Sequence, residues 1–180
     1  MDRLTSIFLA IILLLSCGGR DDTHVQGNPE RTVTLQNDRI AVSIGTDGSL
    51  QSLINIQSGH DYASGGLLWR LYYDSPDEKE IQISGSEQTP QITYADSVIT
   101  LSYASLKAGD RELDIKVSLT ITVEHDKVRF GSTLVNNEPK TVIRELHYPL
   151  LHGAILPEDH KLYTSEAGGK LFADRKNSDA

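Results

Sequence analysis

The stretch Leu113-Asp-Ile-Lys-Val-Ser-Leu-Thr-Ile-Thr-Val-Glu-His-Asp-Lys-Val-Arg-Phe-Gly-Ser-Thr-Leu134 decides the fold. From Leu113 to Val123 every second residue is apolar, and from Asp114 to Glu124 every second residue is polar. A period of two sends alternate side chains to opposite faces, so this is a long strand with one buried and one wet face. After the polar Glu124-His125-Asp126-Lys127 the alternation resumes, with Val128, Phe130 and Leu134 on one side and Arg129, Gly131 and Thr133 on the other. Two such runs around a short polar turn predict an antiparallel hairpin. A helix would smear the same apolar residues around its whole circumference.

Working outward from the hairpin, the chain repeats this pattern. Upstream, Thr32–Gln36 and Arg39–Ile44 flank an Asn37-Asp38 turn. Thr46-Asp47-Gly48-Ser49 then supplies the positive backbone angles of a second turn before Leu50–Ile56. Gln57–Gly66 is polar and reads as loop. Leu67–Tyr73 reads as an aromatic-rich strand with Leu67, Trp69, Leu71 and Tyr73 on one face and Leu68, Arg70 and Tyr72 on the other. Short strands follow at Ile81–Ile83, Ile92–Tyr94 and Ile99–Tyr103. Lys140–Leu150 follows the hairpin, and short pieces come at Leu162-Tyr163 and Leu171-Phe172. About ten or eleven strands spaced roughly 8–12 residues apart, with no amphipathic helix between them, predict an all-β, antiparallel β-sandwich.

The N-terminus carries an address. Arg3 precedes an apolar run from Ile7 to Leu15, and Leu14-Leu-Ser-Cys17 closes it. This is the layout of a secretory signal, too short to stay in a bilayer as a spanning helix. Its end resembles the lipobox of bacterial lipoproteins, which implies cleavage before Cys17 and acylation of that residue. Cys17 is the single cysteine of the chain, so no intramolecular disulfide can form, and lipid attachment gives the thiol a use. Gly18-Gly-Arg-Asp-Asp22 is similar to the tether signal of outer-membrane lipoproteins. The expected organisation is a signal peptide at 1–16, a lipidated flexible linker at 17–30, the sandwich at 31–172 and a polar tail at 173–180. The expected location is the bacterial outer membrane, anchored through Cys17. The net charge of −8 argues against nucleic acid as a partner.

The stretch from Val33 to Gly59 (Val-Thr-Leu-Gln-Asn-Asp-Arg-Ile-Ala-Val-Ser-Ile-Gly-Thr-Asp-Gly-Ser-Leu-Gln-Ser-Leu-Ile-Asn-Ile-Gln-Ser-Gly) resembles the opening of galactose-mutarotase-like β-sandwich domains. Such domains stand at the N-terminus of many large glycan-degrading enzymes. Residues 140–172, with Tyr148-Pro149 and then Leu162-Tyr163 before Gly168-Gly169, are similar to their later part. The resemblance implies a galactose-mutarotase-like super-sandwich and a non-catalytic accessory or carbohydrate-binding role in an exported glycoside hydrolase. It also implies a catalytic module beyond Ala180, since the family's sandwich usually precedes one.

Candidate chemistry is sparse. None of the six histidines forms a metal-type pair, no Gly-x-Ser-x-Gly elbow occurs, and no cofactor is implied. In Arg144-Glu-Leu-His-Tyr148, Glu145 and His147 share one strand face, while Leu146, Tyr148 and Leu150 take the other. Mutarotases use a His and a Glu as proton carriers, so this pair is the candidate for catalysis under a mutarotase-like epimerase reading. For oligo- or polysaccharide binding, the aromatic candidates are Tyr72, beside Arg70, and Trp69. The phase of Trp69 with Leu67 and Leu71 favours a core position for it. A stand-alone surface glycan-binding lipoprotein is the third reading.

Overall fold

A computed structural model of the chain describes residues 32–63 and 65–151, with the backbone alone for 24–28, 162–164 and 170–172. In chain order its strands are β1 (His24–Asn28), β2 (Thr32–Gln36), β3 (Ile40–Gly45), β4 (Leu50–Asn55), β5 (His60–Asp61), β6 (Arg70–Asp74), β7 (Ile81–Ser84) and β8 (Gln91–Ala95). They continue with β9 (Val98–Tyr103), β10 (Leu106–Ala108), β11 (Arg111–Leu113), β12 (Ile115–Glu124), β13 (Lys127–Asn136), β14 (Val142–His147), β15 (Leu162–Thr164) and β16 (Lys170–Phe172). Among the described residues the sole helical piece is the 3-10 turn Gly85–Glu87.

All pairings are antiparallel. One sheet runs β1-β2-β3-β4-β5, a second β13-β12-β9-β8 and a third β14-β6-β7, with β10-β11 and β15-β16 as small hairpins. The hairpin read from the sequence is β12–β13, paired in register from Ile115↔Asn136 to Glu124↔Lys127. Alternation along β12 is complete: Ile115, Val117, Leu119, Ile121 and Val123 are buried and the residues between them are not. These five join Leu35, Val42 and Ile44 of the first sheet, and Leu71, Tyr73 and Ile83 of the third, in one core. Burying an aliphatic side chain of this size contributes about 1.5–3 kcal/mol, so the shared core holds the sheets together. Asn37, 8 % exposed, adds a polar tie: its Nδ2 donates to Glu124 O (3.1 Å) and His125 O (3.2 Å), while its Oδ1 accepts from the N–H groups of Arg39 and Ile40. Gly48 sits at φ +80°, as the Asp-Gly turn requires.

Several expectations are corrected. The linker assigned to 17–30 contains β1, which pairs with β2 through Val25↔Leu35. With Val25 as its one large apolar residue, an edge strand of this kind is set by backbone bonding and leaves little hydrophobic pattern to read. The loop assigned to Gln57–Gly66 contains β5, equally polar and paired to the end of β4. The long strand begins at Ile115 rather than Leu113, because Arg111–Leu113 forms a separate hairpin with Leu106–Ala108. The aromatic strand begins at Arg70. Leu68, expected opposite Trp69, is buried with it because the chain is irregular there. The signal peptide, Cys17, the remainder of the linker and the 173–180 tail lie outside the described residues.

Candidate functional site

The third sheet brings the separately chosen candidates onto one face. β14 pairs with β6 so that Glu145 stands opposite Tyr72, and His147 opposite Arg70. β7 extends both rows, with Gln82 beside Tyr72 and Ser84 beside Arg70. Cross-strand neighbours project to the same side, so Glu145–Tyr72–Gln82 and His147–Arg70–Ser84 form two parallel polar rows. Leu71, Ile83 and Leu146 point the other way, into the core.

Within the rows the contacts are direct. His147 Nε2 lies 2.6 Å from Glu145 Oε2, with side chains 44 % and 63 % exposed. The Tyr72 ring leans on the His147 imidazole at 5.1 Å between centroids, and its hydroxyl donates to Gln82 Oε1 at 3.1 Å. Arg70 is half-buried, and its Nε has no hydrogen-bond partner within the protein. The result is a small exposed patch of ring, carboxylate, imidazole and amide. It can meet hydroxyl groups with donors and acceptors, and an apolar ring face with Tyr72.

A register step between Ile143 and Glu145 places Arg144 in a β-bulge. Strict alternation would turn its guanidinium to the core side with Leu146; the bulge re-aims it outward. There Arg144 Nε donates to Asp74 Oδ2 at 2.8 Å, and Nη2 reaches the same oxygen. Asp74, its side chain 4 % exposed, also accepts the Glu80 N–H on Oδ1 at 3.0 Å and lies 3.5 Å from Lys79 Nζ. The Arg144 hydrogen bonds, and then the Glu80 N–H, hold the Asp74 carboxyl well below the usual carboxylate range, at about 2. Glu80 is one of the few non-glycine residues at positive φ (+56°), a strain that its bond to Asp74 sustains. Together with Tyr72 and Glu145 these residues line an open cleft of about 620 Å³.

The structure therefore brings together Arg70, Tyr72, Glu145 and His147. It does not bring Trp69 to them: the indole is 0 % exposed, packed edge-on to Tyr103 at 5.0 Å, and offers no face to a ligand. Trp69 is thus corrected from binding candidate to core residue, as its phase with Leu71 dictates. Sequence reasoning missed Gln82, Asp74, Lys79 and Glu80. Gln82 was legible as the polar member of Ile81-Gln-Ile83; the others depend on a bulge and a turn that no periodicity encodes. Among the described residues no group of three His, Cys, Asp or Glu is gathered as a metal site would require.

Comparison with known proteins adds a fold-level likeness. No protein-family profile matches the chain, and no curated protein matches its sequence significantly. The solved structure of 4-alpha-glucanotransferase from Thermococcus litoralis is similar to it with a TM-score of 0.50 and 11 % sequence identity. The match covers 67 % of this chain and 25 % of that one. The chain thus corresponds to about a quarter of that protein, and at this identity the likeness concerns the fold alone.

Proposed function

We propose that this protein is a carbohydrate-binding accessory domain of an exported, glycan-processing lipoprotein, built as a galactose-mutarotase-like β-sandwich. In this reading Cys17 carries the lipid that anchors it to the outer membrane, and cleavage chemistry belongs to a further module. The observation that carries the proposal is the convergence of Tyr72, Arg70, Glu145 and His147 on the outer face of β14-β6-β7. A half-buried ring bordered by hydrogen-bonding side chains suits a pyranose, whose C–H face stacks while its hydroxyls bond. The likeness to part of a glucanotransferase supports the fold on which this reading is built. Glycan-array binding followed by calorimetry tests it. Wild type should bind an oligosaccharide, and Tyr72→Ala should weaken binding about tenfold, the loss of roughly 1.4 kcal/mol of contact energy. Binding that Tyr72→Ala leaves unchanged removes this face as the site.

A second reading is favoured by the 2.6 Å contact between Glu145 and His147. A carboxylate bonded to an imidazole can hand a proton on and off a sugar ring oxygen, as a mutarotase-like epimerase requires. Polarimetry on freshly dissolved aldoses decides it. A rate above buffer that falls in Glu145→Gln supports catalysis, and no rate above buffer ends that reading while leaving binding intact.

A further inference from the structure

A second cleft, of about 390 Å³, opens between β3–β4 and the turn of the β12–β13 hairpin, and shares no lining residue with the first. Its apolar wall is formed by Ile40, Leu53, Val128 and Phe130, all partly buried and packed on the core. Tyr62 adds an aromatic ring, set edge-on to His60 at 4.7 Å. The charged lining residues are Arg39, Lys127 and Asp126.

Two features mark this as a built site rather than a surface dent. The first is rigidity. Asn37 ties the Arg39 turn to the hairpin turn through carbonyls of Glu124 and His125, and the Ile56 N–H donates to Arg39 O at 2.7 Å. The Asn37 side chain and this backbone bond thus tie the two sides of the cleft together. The second is an unmet donor. Arg39 Nε is buried without a hydrogen-bond partner. Nε itself is shut off from solvent, so an acceptor entering the cleft would be met by the terminal N–H groups of the same guanidinium.

Charge identifies the acceptor. Two cations face one carboxylate here, on a chain whose net charge is −8. Lys127 is shared with Glu124 Oε2 at 3.1 Å, so recognition falls to Arg39, with Lys127 adding field. The first cleft has the opposite balance: Asp74, Glu80 and Glu145 against Lys79 and Arg144, with both cations within 4 Å of Asp74. The second cleft is therefore the less acidic of the two, with Arg39 as its cation outside any ion pair within 4 Å among the described residues. We infer that this second cleft is a subsite for a uronic-acid residue, its carboxylate accepting from Arg39 and its ring C–H face lying on Phe130 and the aliphatic wall. The carboxylate assignment stands on charge and the Arg39 guanidinium alone; the sugar ring rests on the carbohydrate reading above.

The test is calorimetric titration of the full chain with uronate-containing oligosaccharides and with matched neutral ones. Wild type, Arg39→Gln and Tyr72→Ala are compared, with nitrogen-15 amide mapping on wild type so that the assignment survives a poorly folding variant. Expected are uronate binding that weakens about tenfold or more in Arg39→Gln, neutral-glycan binding that weakens in Tyr72→Ala, and uronate-induced shifts centred on Arg39 and Phe130. Added salt should weaken the uronate interaction and not the neutral one. Equal uronate binding by Arg39→Gln and wild type, amide shifts centred on Tyr72, or no uronate binding by wild type would each overturn the inference. In all three cases, neutral-glycan binding that depends on Tyr72 would leave the proposed function standing.

Discussion

Replacing Gly85 by alanine probes a tight contact in the core. Gly85 opens the turn after β7, and its N–H donates to the Trp69 carbonyl at 3.1 Å. A methyl group at this position would lie 2.6 Å from Trp69 Nε1, 2.8 Å from Cδ1 and 2.9 Å from Cε2. Ordinary carbon contacts sit at about 3.5–4.0 Å, so the indole would have to recede by roughly 1 Å. It has nowhere to go, being fully buried and braced by Tyr103. Overpacking of this kind costs about 1–3 kcal/mol. The backbone of Gly85 is not in the left-handed region, so alanine returns about 0.4–1 kcal/mol by restricting the unfolded chain. The expected net loss is about 1–2 kcal/mol, a fall of roughly 0.5–1 M in the urea midpoint. Trp69→Phe should relieve the clash. Urea unfolding of wild type, both single variants and the double variant, followed by far-ultraviolet circular dichroism, gives the cycle. The double variant should be more stable than the sum of the singles by about 0.5–3 kcal/mol. Additive losses would refute the steric account, and so would a Gly85→Ala protein as stable as wild type.

Two further outcomes follow from the polar ties. Asp74 titrates at about 2 in the folded protein against about 3.9 unfolded, so its stabilising effect is full above pH 4 and is lost as pH falls toward 2. Arg144→Met should therefore be less stable than wild type at pH 7, with the gap in urea midpoint closing between pH 4 and pH 2; a gap constant over that range would exclude the ion pair as its source. Asn37→Ala deletes four hydrogen bonds and leaves the Arg39 and Ile40 N–H groups short of an acceptor, a loss of about 2–3 kcal/mol in chemical denaturation. If the inferred subsite is right, the same change should weaken uronate binding at temperatures where the protein is still folded.

The regular part of the fold was written in the sequence wherever one face of a strand is buried. β12 is the clearest case, because five buried residues in strict alternation leave a single way to face the core. β1 and β5 escaped, since edge strands held by backbone bonds need no apolar pattern. The Glu145–His147 pair was legible from its spacing of two. Its meeting with Arg70 and Tyr72 was not, because strand order within a sheet is a long-range property. Arg144 shows the same boundary in one residue. Its identity was plain, but only the bulge decides that it reaches Asp74 instead of sitting beside Leu146.

The pairing of β14 with β6 has a consequence for the order in which the molecule assembles. The Arg144–Asp74 contact spans 70 residues, whereas β12 meets β13 across a two-residue turn. Closing the longer loop carries the larger entropic penalty, so the hairpin should form early and β14 should join the third sheet late. A chain emerging N-terminus first presents Tyr72 well before Glu145 and His147 exist to join it, and the shared face is completed only by the arrival of β14. Pulsed hydrogen exchange should accordingly find the amides of Ile115–Glu124 protected ahead of those of Val142–His147. A ligand held on that face would then report that folding has gone to its end.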